Sequence, residues 1–129
     1  MYLLDADYLI DLLKGKEEAH KFFQSIRGDV YTSVICVAEV LEGIYNYRDS
    51  KSLRIFEEFI HELKVLDVDM DVAMNYALLR GNLRKKGNLL DKFDLMIAST
   101  CLAHKLVLVT RNLKHFQRIP KLKVYKHKN

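Results

Sequence analysis

The chain predicts an α/β fold built on a mainly parallel sheet that helices cover on both faces. Two observations carry this. Short apolar runs alternate with segments of helical period along the whole length, the order that βαβ units produce. The most strand-like run, KLVLVT (105–110), is apolar without a break at its centre, as suits a strand buried on both faces.

The elements follow in order. YLL (2–4) reads as a short buried strand, and ADYLIDLLKG as a helix stopped by Gly15. EEAHKFFQSI (17–26) keeps helical period and Gly28 ends it. DVYTS (29–33) is the second strand, and Ser33 caps the helix SVICVAEVLEGIYNY. Residues 50–63 are amphipathic through Leu53, Phe56, Ile60 and Leu63. KVLDVD (64–69) is a third strand. DVAMNYALLRGNLRKKG is a helix with an acidic cap at Asp69 or Asp71 and a stop at Gly87. Residues 91–104 form the next helix, KLVLVT the fourth strand, and LKVYK (122–126) a last edge strand.

With 129 residues, the chain suits one domain spanning 1–129. Half the residues are apolar and 29% are charged, an ordinary globular balance. No apolar run approaches the roughly 20 residues that span a bilayer, and no basic leader precedes the first apolar residues. Cys36 and Cys101 lie in apolar helical patterns without CxxC spacing, so each is expected to be a buried reduced thiol. A cytoplasmic location follows. The formal charge is +4, with basic residues gathered in RGNLRKKG (80–87) and KLKVYKHKN at the C-terminus, compatible with a nucleic-acid partner.

Ligands of open parallel sheets bind outside the carboxyl ends of the strands. Asp5 directly follows the first strand. Glu39 lies in the early turns of the helix after the second. Asp91 and Asp94 open the helix before the fourth strand, and Asn112 follows that strand. Asp91 is expected mainly to cap its helix. Asp94 stands among Phe93, Leu95, Met96 and Ile97, where an acid needs a partner or a metal. Converging carboxylates repel one another unless protonated or holding a cation. An all-oxygen donor set favours Mg²⁺ or Mn²⁺, whereas the five histidines are scattered without zinc-ligand spacing. A divalent ion on carboxylates points to phosphate chemistry. There is no GxxxxGK[ST] loop to support nucleoside triphosphate hydrolysis.

Three blocks, YLLDADYLIDLLKG, TSVICVAEVLEG and DLMIASTCLAHKLVLVTRNLKHFQRIP, in this order and spacing, resemble the PIN-domain ribonucleases. The likeness is in particular to the toxin component of VapBC toxin–antitoxin pairs. The resemblance covers nearly the whole chain. It implies a PIN-like three-layer α/β/α sandwich around a mainly parallel sheet of four to five strands. It also implies a Mg²⁺- or Mn²⁺-dependent endoribonuclease that hydrolyses RNA phosphodiesters with a metal-activated water. The family's acids fall on Asp5, on Glu39 of the "AE" block, and on Asp94; Glu42 competes with Glu39, but Ala38 and Gly43 fit the pattern around Glu39. Asp7 stands where the family often has Asn. After Thr110 and Arg111 the family often carries a further acid, or Asn; Asn112 occupies that region here, which leaves one-metal and two-metal catalysis both open. Thr110 or Ser33 would support the ligands, and Arg80, Arg84 or Arg111 would meet RNA phosphates. The resemblance further implies a homodimer, through the third helix or the 71–86 helix. It implies as well a VapB-like antitoxin whose C-terminal segment covers the acidic pocket, offering an Arg to the carboxylates. Three other readings fit the alternation of elements: a non-catalytic RNA-binding or interaction module on the same fold, a phosphatase opening on DxD, and a phosphate-receiver domain.

Overall fold

The computed structural model describes residues 1–26, 28–87 and 90–127; Lys128 and Asn129 of the basic tail lie outside the described residues. The first half of the chain holds strand β1 (Tyr2–Leu4), helices α1 (Ala6–Leu13) and α2 (Glu17–Ser25), β2 (Val30–Ser33), α3 (Val34–Asn46) and α4 (Ser50–Phe59). A 3-10 turn (Ile60–Glu62), β3 (Lys64–Leu66), α5 (Met70–Lys85), α6 (Lys92–His104), β4 (Val107–Val109) and α7 (Leu113–Phe116) follow.

The sheet has the order β3-β2-β1-β4, every pair parallel. The chain steps outward from β1 to β2 to β3, then returns through α5 and α6 to the far side of β1. Right-handed crossovers running in opposite directions put their helices on opposite faces, which produces the three layers. The same reversal creates a switch point between β1 and β4, where the loops at the strand ends diverge and leave a crevice. β1 is the inner strand beside it, and Leu3, Leu4, Leu108 and Val109 are all fully buried.

Local chemistry sets the boundaries. Ser33 accepts the Ile35 N–H at 3.0 Å and so caps α3. Asp49, Asp69 and Asp91 cap α4, α5 and α6 through their side chains. Gly15 and Gly87 follow helix ends with φ of +72° and +71°, which an L side chain rarely adopts.

The structure shortens several sequence-based elements. The amphipathic 50–63 segment tightens into the 3-10 turn at Ile60. The third strand stops at Leu66, because Asp69 already caps α5. α2 ends at Ser25, ahead of Gly28. The expected strand at 122–126 is a single parallel bridge between Leu108 and Val124, made by two backbone hydrogen bonds to Leu108, so the sheet has four strands. α7, four residues long, went unseen in the sequence. Among the described residues no helix is long and apolar enough to cross a membrane.

Candidate active site

β1 delivers Asp5 to the switch point. Its N–H donates to Val109 O at 2.9 Å, continuing the ladder with β4, and its side chain caps α1 by accepting the Ala6 N–H at 2.8 Å. The second carboxylate oxygen accepts the Thr110 hydroxyl at 2.7 Å. Thr110 thus bridges two strand ends, and its Oγ1 in turn accepts the Asn112 N–H at 3.0 Å. Cys36 Sγ lies 3.8 Å from Asp5 Oδ1. Asp5 is only 5% exposed.

Around Asp5 stand three further carboxyls. Asp7, on the first turn of α1, accepts the Arg111 N–H at 3.0 Å through Oδ2, while its Oδ1 is buried without a hydrogen-bond partner. Glu39 comes from the second turn of α3 and also has a buried, unpartnered oxygen, Oε1. Asp94 sits in the first turn of α6, half-buried, with His115 Nδ1 at 3.6 Å from its Oδ2. That separation is too long for a good hydrogen bond.

Burial and mutual repulsion act on all four. Burial raises the Asp5 pKa above its usual value, and the charge of Asp94 adds to it. Asp7 is pushed up to about 6 by burial and then by Asp5. Glu39 is pushed up to about 7 by burial, then by Asp5, Asp94, Asp91 and Asp7. Asp94 is raised by burial and by Asp91, and His115 acts against the shift. Carboxyls that raise one another's pKa in this way are a site short of positive charge.

The donor set fits a hard divalent cation. Asp7 and Glu39 each keep a buried carboxyl oxygen without a hydrogen-bond partner, as does Asp11 farther along α1, and carboxylate oxygens are the donors that such a cation takes. Among the described residues no three His, Cys, Asp or Glu side chains stand close enough to form a finished cage. Mg²⁺ needs none, because it keeps several waters and binds through one or two carboxylates.

The remaining sequence candidates divide. Asp91 caps α6 by accepting the Phe93 N–H at 3.1 Å. Ser33, fully buried, spends its hydroxyl oxygen on the α3 cap. Asn112 occupies the N-cap position of α7 without a side-chain cap bond. Arg80 and Arg84 lie on α5, and among the described residues neither makes an ion pair with a site carboxylate. Arg111 is tied in: its backbone holds Asp7, and its Nε lies 3.3 Å from Asp11 Oδ2. Asp11 is buried and also has Lys16 Nζ at 3.2 Å.

Asp11 and His115 went unnoticed in the sequence. In sequence Asp11 is an ordinary polar position of a short helix, and the DxxxD spacing from Asp7 is its only signal. His115 had none, since nothing local ties it to Asp94.

The fold and the acidic crevice define a class, and the comparisons agree with it. The PIN domain pattern matches residues 2–122, and the chain belongs to the PIN-domain family. Within that family its likeness is to the VapC ribonucleases. It is 33% identical, over 95% of each chain, to a Salmonella typhimurium protein named tRNA(fMet)-specific endonuclease VapC. To Ribonuclease VapC1 of Methanocaldococcus jannaschii it is 30% identical, over 95% of this chain and 85% of that one. Among solved structures it matches VapBC2 of Rickettsia felis bound to a fragment of promoter DNA, with a TM-score of 0.92, 25% identity and 98% of both chains covered. It also matches the DNA-bound VapBC of Salmonella typhimurium, with a TM-score of 0.85, 32% identity and 96% of both chains covered.

Proposed function

We propose that this chain is the endoribonuclease toxin of a VapBC-type toxin–antitoxin pair, and that it cuts RNA at Asp5, Glu39 and Asp94 with Mg²⁺ or Mn²⁺. The observation that carries the assignment is the group of buried and half-buried carboxyls at the β1–β4 switch point, where Asp94 raises the Asp5 pKa and both raise that of Glu39. A divalent cation held there supplies charge neutralisation for the scissile phosphate and acidifies a water.

The chain's own residues do the rest. Asp5 and Asp94 would hold the ion through their carboxylate oxygens. Thr110, bonded to Asp5, fixes the direction of that carboxylate. Glu39, with an unpartnered oxygen, orients the attacking water. The water's oxygen would bond to phosphorus as one P–O ester bond breaks, the water's proton passing to solvent and the leaving oxygen taking one up. Asp7 and Asn112 would be secondary groups for the ion, and Arg80, Arg84 and Arg111 are candidates for substrate phosphates.

The partner is a VapB-like antitoxin whose C-terminal segment covers the acidic crevice with an Arg. The protein works in the cytoplasm, as one domain over 1–129, and as a homodimer. Exposed Met70, Met74 and Leu78, four residues apart along one face of α5, support the dimer.

The test is cleavage of mixed RNA and of tRNA(fMet), the substrate in the Salmonella relative's name, with Mg²⁺, with Mn²⁺ and with EDTA. Cutting is expected with either metal and not in EDTA. Asp94→Asn should keep the wild-type circular dichroism and lose cleavage. Full activity in EDTA or in that variant overturns the site assignment. Light scattering at micromolar concentration checks the dimer; a monomer there refutes it.

A further inference from the structure

Two open clefts flank the carboxyl cluster, and Arg111 lines both. One, of about 430 Å³, runs toward α2 and is lined by Tyr8, Asp11, Lys16, Glu17, Glu18 and His127 among others. The other, of about 560 Å³, runs along α7 and is lined by Asn112, Leu113, Lys114, His115 and Gln117 with Arg111.

Their chemistry is opposite. The α2 cleft carries three carboxylates against Lys16 and Arg111, and Asp11 already engages both cations. The α7 cleft has no carboxylate in its lining. Its polar side chains are Arg111, Asn112, Lys114, His115 and Gln117, and every one can donate a hydrogen bond.

An RNA strand whose scissile phosphate sits at Asp5 and Asp94 must pass close to four acids. Each neighbouring phosphate needs donors, and further carboxylates would repel it. The α7 cleft begins one residue beyond Thr110, which is bonded to Asp5, and His115 reaches back to Asp94. It therefore adjoins the carboxyls at which the scissile phosphate would sit.

We infer that the α7 cleft is the subsite for the phosphates of substrate RNA flanking the scissile bond, contacted by Lys114, Gln117 and the guanidinium of Arg111, and that the strand does not run across α2. The inference rests on the ribonuclease function proposed above and adds the path of the substrate. Lys114 supplies a point charge and Gln117 an amide donor. Arg111, whose Nε is occupied by Asp11, offers its terminal nitrogens.

The test uses the full-length chain, a single-stranded RNA oligonucleotide of mixed sequence, and EDTA to prevent cleavage. Affinity is measured against salt concentration for the wild type, Lys114→Gln, Lys114→Glu and Glu18→Gln. A lost phosphate contact on single-stranded nucleic acid lowers the salt slope by about 0.7. Lys114→Gln should show that drop with a several-fold loss of affinity, Lys114→Glu a larger loss, and Glu18→Gln neither. Unchanged slopes in both Lys114 variants overturn the subsite. So does a gain of affinity in Glu18→Gln as large as the loss in Lys114→Gln, because it would route the strand over α2. Cleavage assays with metal keep the two failures apart. A wild type that cuts RNA while the Lys114 variants bind like it refutes only the subsite. A wild type that neither binds nor cuts RNA refutes the ribonuclease function and the subsite together.

Discussion

Asp49 and Asp5 perform the same local task in opposite surroundings. Each ends an extended or irregular stretch and caps the helix that follows. Asp49 stands at the surface, where the Ser52 hydroxyl and N–H hold its carboxylate below the usual pKa. Asp5 is buried beside other carboxyls, and its pKa is raised although Thr110 and Ala6 both donate to it. Hydrogen bonds alone do not decide the outcome for a capping acid. In water they stabilise the charge; in the crevice the desolvation and repulsion exceed them. A cap at the surface keeps its charge at no penalty, whereas the cap of α1 holds a carboxyl whose charged form is disfavoured.

That contrast can be broken in several ways, beginning with the largest expected effect. Asp94→Asn should reduce cleavage by at least about 100-fold, as loss of a direct ligand should exceed the 10- to 100-fold cost of disturbing an outer-shell group. Asp49→Asn should leave cleavage untouched in the same assay. Next comes metal. Mg²⁺ at about 100 times its Kd should stabilise the wild type by about 2.7 kcal/mol in chemical denaturation, and Asp94→Asn should lose most of that gain. If the variant is stabilised equally, the ion does not bind at this crevice.

The third effect is on pH. Glu39 rises from 4.5 to about 7 on folding, and Asp7 from 3.8 to about 6. Both then hold protons in the folded state that the unfolded chain has released. Stability from these groups is present in acid and lost as pH climbs from about 4 through about 7. Asp49, whose pKa is lowered, has the opposite sign: its contribution is present above pH 3.8 and disappears as the solution is acidified below that. Denaturation of the metal-free protein at pH 5 and pH 7.5 should show the cluster's share as greater stability at pH 5. Glu39→Gln should flatten the dependence. The smallest effect is on the metal-free protein at neutral pH, where Glu39→Gln should gain about 0.5–1 kcal/mol, a modest figure because Glu39 is partly open to solvent. A clear loss of stability would mean that Glu39 holds a structural partner.

Much of this architecture was legible in the sequence. The alternation of elements, the caps at Ser33 and Asp91, and the helix stops at Gly15 and Gly87 are local matters of hydrogen bonding and backbone freedom, and the chain records them directly. That Asp5 follows a strand end is likewise visible. What it then meets is not, because Thr110 lies 105 residues away. α7 is too short for any period to emerge, so nothing in the sequence ties His115 to Asp94, which it faces. Asp11 sits on a helix where an acid is unremarkable, and only the folded structure brings Arg111 and Lys16 onto it. The edge strand at 122–126 failed for a related reason: a strand needs a run of partners along its edge, and β4, with three residues, offers Val124 a single bridge.

The strand order has a bearing on synthesis. β1 leaves the ribosome ahead of the other strands, yet it is an inner strand whose neighbour β4 is translated about a hundred residues later. Until β4 emerges, Asp5 lacks both its ladder bond to Val109 and the Thr110 hydroxyl. A growing chain therefore carries the acids without the crevice. For an enzyme that cuts RNA, this arrangement means that a nascent polypeptide holds Asp5 without its Thr110 and Val109 partners until β4 has emerged.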